Sequence, residues 1–70
     1  MKPYYSIKLA IQAVADHYRG LRQIPSACDA RCGINDVLEN AERSGYRVHH
    51  GYNQPRAVAS VKRLASQWTH

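Results

Sequence analysis

The chain has 70 residues, of which 44% are hydrophobic and 21% are charged. A chain this short forms at most one domain and buries only about 60% of its unfolded surface, so we expect a single small domain over residues 1–70. Ten Lys and Arg residues against five Asp and Glu give a net charge of +5, which favours an anionic partner such as nucleic acid. No run approaches the ~18 apolar residues of a membrane span, and we therefore expect a cytoplasmic protein without a membrane partner.

The first helix is predicted over residues 6–19, where apolar side chains recur every three or four positions. Ser6 can cap its start and Gly20 can end it. Leu9 falls near the polar side of this helix, where it would be exposed. The apolar face comprises Ile7, Ala10, Ile11, Val14 and Tyr18.

A second helical segment begins after Pro25, where Ser26 is followed three residues later by Asp29 in an acidic variant of the capping box. Helical spacing continues through Gly33 to residue 41, which allows either one long helix or two short ones. Gly33 costs about 1 kcal/mol inside a helix and Asn35 can cap a second start, so we favour a break there.

Residues 46–50 alternate in polarity and are β-prone, which indicates an extended connection or a small ribbon. The last helix then starts near Pro55, a residue that suits the first helical turn, with Asn53 or Gln54 as its cap. Its apolar stripe comprises Ala57, Val58, Val61, Leu64, Ala65 and Trp68.

Charge is distributed unevenly along the chain. All five acids lie at or before residue 42, and every charged residue after that point is Lys or Arg. In the last helix Arg56, Lys62 and Arg63 stand opposite the apolar stripe, and cationic side chains without acidic partners suit phosphate contacts. We therefore predict a small, basic, non-enzymatic regulatory module that binds nucleic acid through this helix. The predicted phosphate contacts are Arg43, Arg47, Arg56, Lys62 and Arg63.

Residues 26–45 have the outline of a helix-turn-helix, but their charges argue against DNA reading by the second helix. Asp36, Glu39 and Glu42 would approach phosphates there, and each such approach is repulsive. The C-terminal helix is therefore the better candidate for contact.

A protein-binding adaptor or inhibitor, of the kind that small phage or mobile-element genes often encode, is the alternative interpretation. The aromatic residues are five Tyr and one Trp, with no Phe, and protein interfaces favour such rings because they bury area while keeping a polar atom paired. Tyr4, Tyr5 and Tyr52 lie outside the helical stripes and would act as anchors together with Arg. Stacking on unpaired bases is another use of such rings, which the sequence does not separate from protein binding. A homodimer is a further option.

Cys28 and Cys32 are spaced i,i+4, so both sulfurs would lie on one face of a helix. With the histidines at 49–50 they do not form a recognised zinc-ligand pattern, and we expect them to behave as small buried apolar residues. No surrounding motif fixes either cysteine against His17 and Asp16 for catalysis. We therefore expect no cofactor, no metal and no enzymatic activity.

The expected fold is all-α, a compact bundle of three or four helices with an optional short extended segment near residues 46–50. One apolar stripe must be buried against another, so the stripes would meet in a common core. That core would consist of Ile7, Ile11, Val14, Tyr18, Leu21, Ile34, Val37, Leu38, Val48, Val58, Val61, Leu64 and Trp68.

Overall fold

Three α-helices account for most of the chain: α1 spans Ile7–Gly20, α2 spans Ala27–Arg43, and α3 spans Gln54–Ala65. A 3₁₀ turn, Ser66–Thr69, follows α3. The structure is a computed structural model, which describes the backbone of residues 2–69 and the side chains of residues 2–67. Within that backbone there is neither a strand nor a fourth α-helix, which confirms the all-α fold with three helices. None of these three helices is both long and apolar enough to cross a membrane.

Each helix begins at a residue whose side chain caps it. Ser6, Ser26 and Asn53 precede α1, α2 and α3, and the side-chain oxygen of each accepts a hydrogen bond from the backbone amide three residues later, at 3.3, 3.1 and 3.2 Å. These bonds satisfy amides that the first helical turn leaves without a backbone partner. The predicted caps of all three helices are confirmed.

The second helix is continuous over 17 residues, so the predicted break at Gly33 is wrong. Gly33 lies where α2 meets α1, and a β-carbon at this position would stand 3.1 Å from Cγ1 of Val14. The missing side chain lets the two helices approach closely, and that packing outweighs the ~1 kcal/mol cost of glycine in a helix. Asn35 does not cap a second start but accepts a hydrogen bond from the Tyr52 hydroxyl at 2.8 Å.

The core lies where α1 packs against both α2 and α3, which also contact each other. Its largest fully buried side chains are Ile34, Leu38 and Val61. Small side chains allow the helices to close around them, because the other buried residues of the three helices are Val14 and the alanines Ala10, Ala15, Ala30, Ala41, Ala57 and Ala65.

Apart from Leu21 and Trp68, every predicted core residue is either buried or packed half-buried against the core. The prediction for Leu21 is wrong, because its side chain is 52% exposed. α1 has ended one residue earlier, and the chain turns away from the core at Arg22, whose φ is 55°. Leu9 is exposed as predicted, and Trp68 lies outside the described side chains.

The loop between α2 and α3 contains no strand, in contrast to the extended segment predicted there. Instead Arg47 forms an isolated parallel bridge with Tyr4. The amide of Tyr5 donates to the Arg47 carbonyl, and the Arg47 amide donates to the Pro3 carbonyl, both at 2.8 Å. These two bonds attach the residues before α1 to the loop after α2.

Candidate nucleic-acid interface

A groove between α1 and α3, here called the cationic groove, brings together three cationic side chains from two helices. Lys8 lines its α1 side, Arg56 and Arg63 line its α3 side, and it encloses about 490 Å³. All three cations are exposed. The remaining lining residues are apolar or uncharged polar: Ile7, Ile11, Gln12, Ser60 and Leu64.

The pattern of α3 explains why its two arginines share this groove. Ala57, Val61 and Ala65 are buried, and they fix the rotation of α3 about its axis. Arg56 and Arg63 are seven residues apart, nearly two helical turns, so they project from the same side of α3 and about 10.5 Å apart along its axis. Burial of the apolar stripe therefore directs both arginines to the α1 flank.

The three cations of the groove have no acidic partner among side chains 2–67. Within that range Arg19 forms an ion pair with Asp16, and His50 lies 3.4 Å from Glu42, a contact that is ionic only when the imidazole is protonated. Asp16 is the single acid of α1, and it also accepts a hydrogen bond from Gln12 at 2.8 Å. Since Arg19 engages this acid, the positive charge of the groove is not offset by it.

The other side of α1 borders a second groove, whose charged side chains are mainly acidic. It lies between α1 and α2, encloses about 350 Å³, and is lined by Asp29 and Asp36 together with His17 and Cys32. α1 therefore separates an acidic groove from the cationic groove. Such a separation raises the local potential beside α3 above what the net charge alone would produce.

The five predicted phosphate contacts fall on more than one surface. Arg56 and Arg63 lie in the cationic groove, whereas Arg43, Arg47 and Lys62 do not line it. Arg43 is exposed in the last turn of α2, and Arg47 is exposed in the loop that follows.

Lys62 and Arg63 are adjacent in sequence but point about 100° apart around the helix axis. Val58, one turn before Lys62, lines a separate depression together with Arg31 of α2 and Pro55. Lys62 thus belongs to the flank of α3 that faces α2, and it is half-buried.

Lys8 is the residue of the groove that sequence reasoning missed. Its position on the polar side of the first predicted helix was visible in the sequence. Its approach to Arg56 and Arg63 depends on how α1 packs against α3, which the sequence pattern does not specify.

The three predicted protein-interface anchors also divide between two surfaces. Tyr4 is 56% exposed, and the ring of Tyr5 meets that of Tyr46 edge to face with 5.6 Å between centroids. Tyr52 lies elsewhere, in a depression of about 180 Å³ that shares Ile7, Ile11, Arg56 and Ser60 with the cationic groove. Burial raises the pKa of the Tyr52 hydroxyl.

Both cysteines are exposed with free thiols, so the expectation that they are buried is wrong. Positions 28 and 32 each lie two residues, about 200° of rotation, before the buried Ala30 and Ile34. A side-chain hydrogen bond with Cys28 raises the pKa of the Cys32 thiol, which disfavours the nucleophilic thiolate. Among the described residues no three His, Cys, Asp or Glu side chains are arranged to hold a metal ion.

Comparison with known proteins finds no matching family, and no curated protein or solved structure with significant similarity to this chain.

Proposed function

We propose that this protein is a small, non-enzymatic regulatory module that binds nucleic acid through the cationic groove. The observation that carries the proposal is the convergence of Lys8, Arg56 and Arg63, from two helices, with no acid paired to any of them among side chains 2–67. Cations in such an arrangement bind phosphates and release the counterions condensed around nucleic acid. Arg43, Arg47 and Lys62 lie outside the groove and would add attraction at longer range, because the net charge is +5.

Fluorescence anisotropy with labelled DNA and RNA, measured over a salt series, tests this proposal. Binding that uses the three groove cations should weaken with salt, with a slope of log K against log[salt] near −0.7 to −0.9 for each phosphate neutralised. The double variant Arg56→Glu with Arg63→Glu should lose that binding.

Lys2→Glu with Arg22→Glu is the matched control, because it makes the same change in net charge at exposed positions that do not line the groove. Binding that is absent, that is insensitive to salt, or that both double variants weaken equally would contradict the proposal.

The second candidate function is that of a protein-binding adaptor or inhibitor, and a different surface favours it. Tyr4 and Tyr46 are 56% and 38% exposed, and Tyr4 is bridged to Arg47 through the backbone. Exposed Tyr beside Arg is a composition typical of the centre of protein interfaces. Recovery of one stoichiometric protein partner that Tyr4→Ala with Tyr46→Ala abolishes, and that Arg56→Glu leaves bound, would support this function. Light scattering of the purified chain tests the homodimer option.

A further inference from the structure

We propose that the cationic groove binds single-stranded nucleic acid in preference to duplex, with Tyr52 as a stacking platform for a base. This inference rests on the proposed nucleic-acid-binding function and specifies which form of nucleic acid the groove takes.

The shape of the groove is the first argument. Its cations border a recess between two helices, and apolar side chains from both helices, Ile7, Ile11 and Leu64, line that recess. A duplex keeps its bases stacked inside, and it is read by an element that protrudes into a groove about 12 Å wide. The unpaired bases of a single strand can instead enter an apolar recess while their phosphates stay at its cationic border.

The spacing of the arginines sets the length of strand that the groove takes. Arg56 and Arg63 are separated by about 10.5 Å along α3. Along one strand of stacked nucleic acid the phosphates rise about 3.4 Å per nucleotide, so about three stacked nucleotides span the two side chains, and fewer span them once the strand is unstacked and extended. Lys8 contacts the same segment from α1.

Tyr52 supplies the second argument. It lines the depression that continues the groove past Arg56, and its hydroxyl donates to Oδ1 of Asn35 at 2.8 Å. That hydrogen bond restrains the ring before any ligand arrives, which reduces the entropy lost on binding. An aromatic ring beside an arginine offers a base both stacking and a nearby charge for its phosphate. An acidic peptide would pair with the same cations but has no base to stack.

The experiment compares a short labelled oligothymidine with a DNA hairpin that carries the same number of phosphates, at one salt concentration. We expect the oligothymidine to bind at least ~10-fold more tightly. Tyr52→Leu should weaken its binding roughly 5- to 150-fold, since stacking on an aromatic side chain contributes ~1–3 kcal/mol per base. Tyr52→Phe loses the same bond to Asn35 but keeps the ring, and should bind far more tightly than Tyr52→Leu.

Photocrosslinking of the unmodified chain to an iodouracil oligonucleotide provides a readout that does not depend on the folding of a variant. The crosslinked peptide should contain Tyr52, and crosslinks confined to other residues would overturn its assignment.

Three outcomes of the binding comparison separate this inference from the function on which it rests. Hairpin binding that is as tight as oligothymidine binding and is lost in Arg56→Glu overturns the preference and leaves nucleic-acid binding standing. Absence of binding to either probe overturns both. Polyglutamate of equal charge that competes as well as oligothymidine overturns the inference, because the groove would then bind any polyanion.

Discussion

Gly33 and Val14 bring α1 and α2 closer together than a larger residue at position 33 would allow. A β-carbon on Gly33 would stand 3.1 Å from Cγ1 and 3.3 Å from Cγ2 of Val14. Val14 is itself buried, and its branched side chain has little rotational freedom inside a helix. Since α1 forms a wall of both the acidic and the cationic groove, this contact helps to position the surfaces on either side of it.

Replacing Gly33 with Ala should therefore fail to stabilise the protein, although alanine is the better helix former. The expected gain of about 1 kcal/mol in helix propensity is opposed by crowding against Val14, and overpacking of a core costs ~1–3 kcal/mol. Gly20→Ala is the matched control, because a β-carbon there meets nothing within 4 Å, and it should stabilise by roughly 0.4–1 kcal/mol by reducing the freedom of the unfolded chain. Urea unfolding of both variants measures the difference. An equal gain at the two positions would show that Val14 does not constrain position 33.

Gly33 also marks the limit of what the sequence reveals about the fold. The helix starts are predictable because each depends on a side chain only three residues from the amide that it caps, as at Ser26. The continuity of α2 is not predictable in this way, because the side chain that requires a glycine at position 33 belongs to another helix. Local propensity argues for a break, whereas the tertiary contact with Val14 removes the penalty on which that argument depends.

The candidate site likewise contains residues that the sequence predicts and one that it does not. The cationic side of α3 follows from its apolar stripe, so Arg56 and Arg63 could be identified from spacing alone. Lys8 could not be identified from spacing, because it lies more than forty residues earlier in the chain. Only the packing of α1 on α3 brings it to the two arginines. Lys62 appears equivalent to Arg63 in the linear sequence, yet the two are about 100° apart around the helix.

The cations of the groove should contribute individually to the salt dependence of binding. Lys8→Ala, Arg56→Ala and Arg63→Ala should each reduce the slope of log K against log[salt] by about 0.7–0.9, the value for one phosphate contact. Lys62→Ala should reduce it by less than half as much, because Lys62 lies on the flank of α3 that faces α2. Anisotropy titrations with one probe over a common salt series measure these slopes. A Lys62 variant with the same deficit as Arg63→Ala would place the interface across the whole exposed face of α3.

Cys28 should control how readily Cys32 reacts. The hydrogen bond between the two side chains raises the pKa of Cys32, so in the native protein the reactive thiolate forms only at higher pH. Cys28→Ala removes this partner, and the midpoint of the pH–rate profile for Cys32 should move down. Peptide mass spectrometry after timed iodoacetamide labelling follows Cys32 alone. Unchanged midpoints in the two proteins would mean that the thiols do not interact in solution.

The hydroxyl of Tyr52 should stabilise the fold at neutral pH and cease to do so in alkali. Burial raises its pKa, so the folded state holds the proton more tightly than the unfolded state. The stabilisation is therefore complete below the unfolded value, near pH 10, and is lost as the pH rises through the folded value. Tyr52→Phe removes both the proton and the hydrogen bond to Asn35.

At pH 7 the Tyr52→Phe variant should accordingly be less stable by about 0.5–1 kcal/mol, the lower part of the range for a hydrogen bond because the group is only partly buried. The difference in unfolding free energy between the two proteins should narrow as the pH is raised past the ordinary tyrosine range. The native chain loses the contribution of the Tyr52 hydroxyl there, and the variant lacks that contribution at every pH. Tyr4→Phe is the control, because the Tyr4 hydroxyl has no hydrogen-bond partner among the described residues. Urea unfolding at a series of pH values measures this difference, and a difference that stays constant into strong alkali would mean that Tyr52 ionises equally well in the folded and unfolded chains.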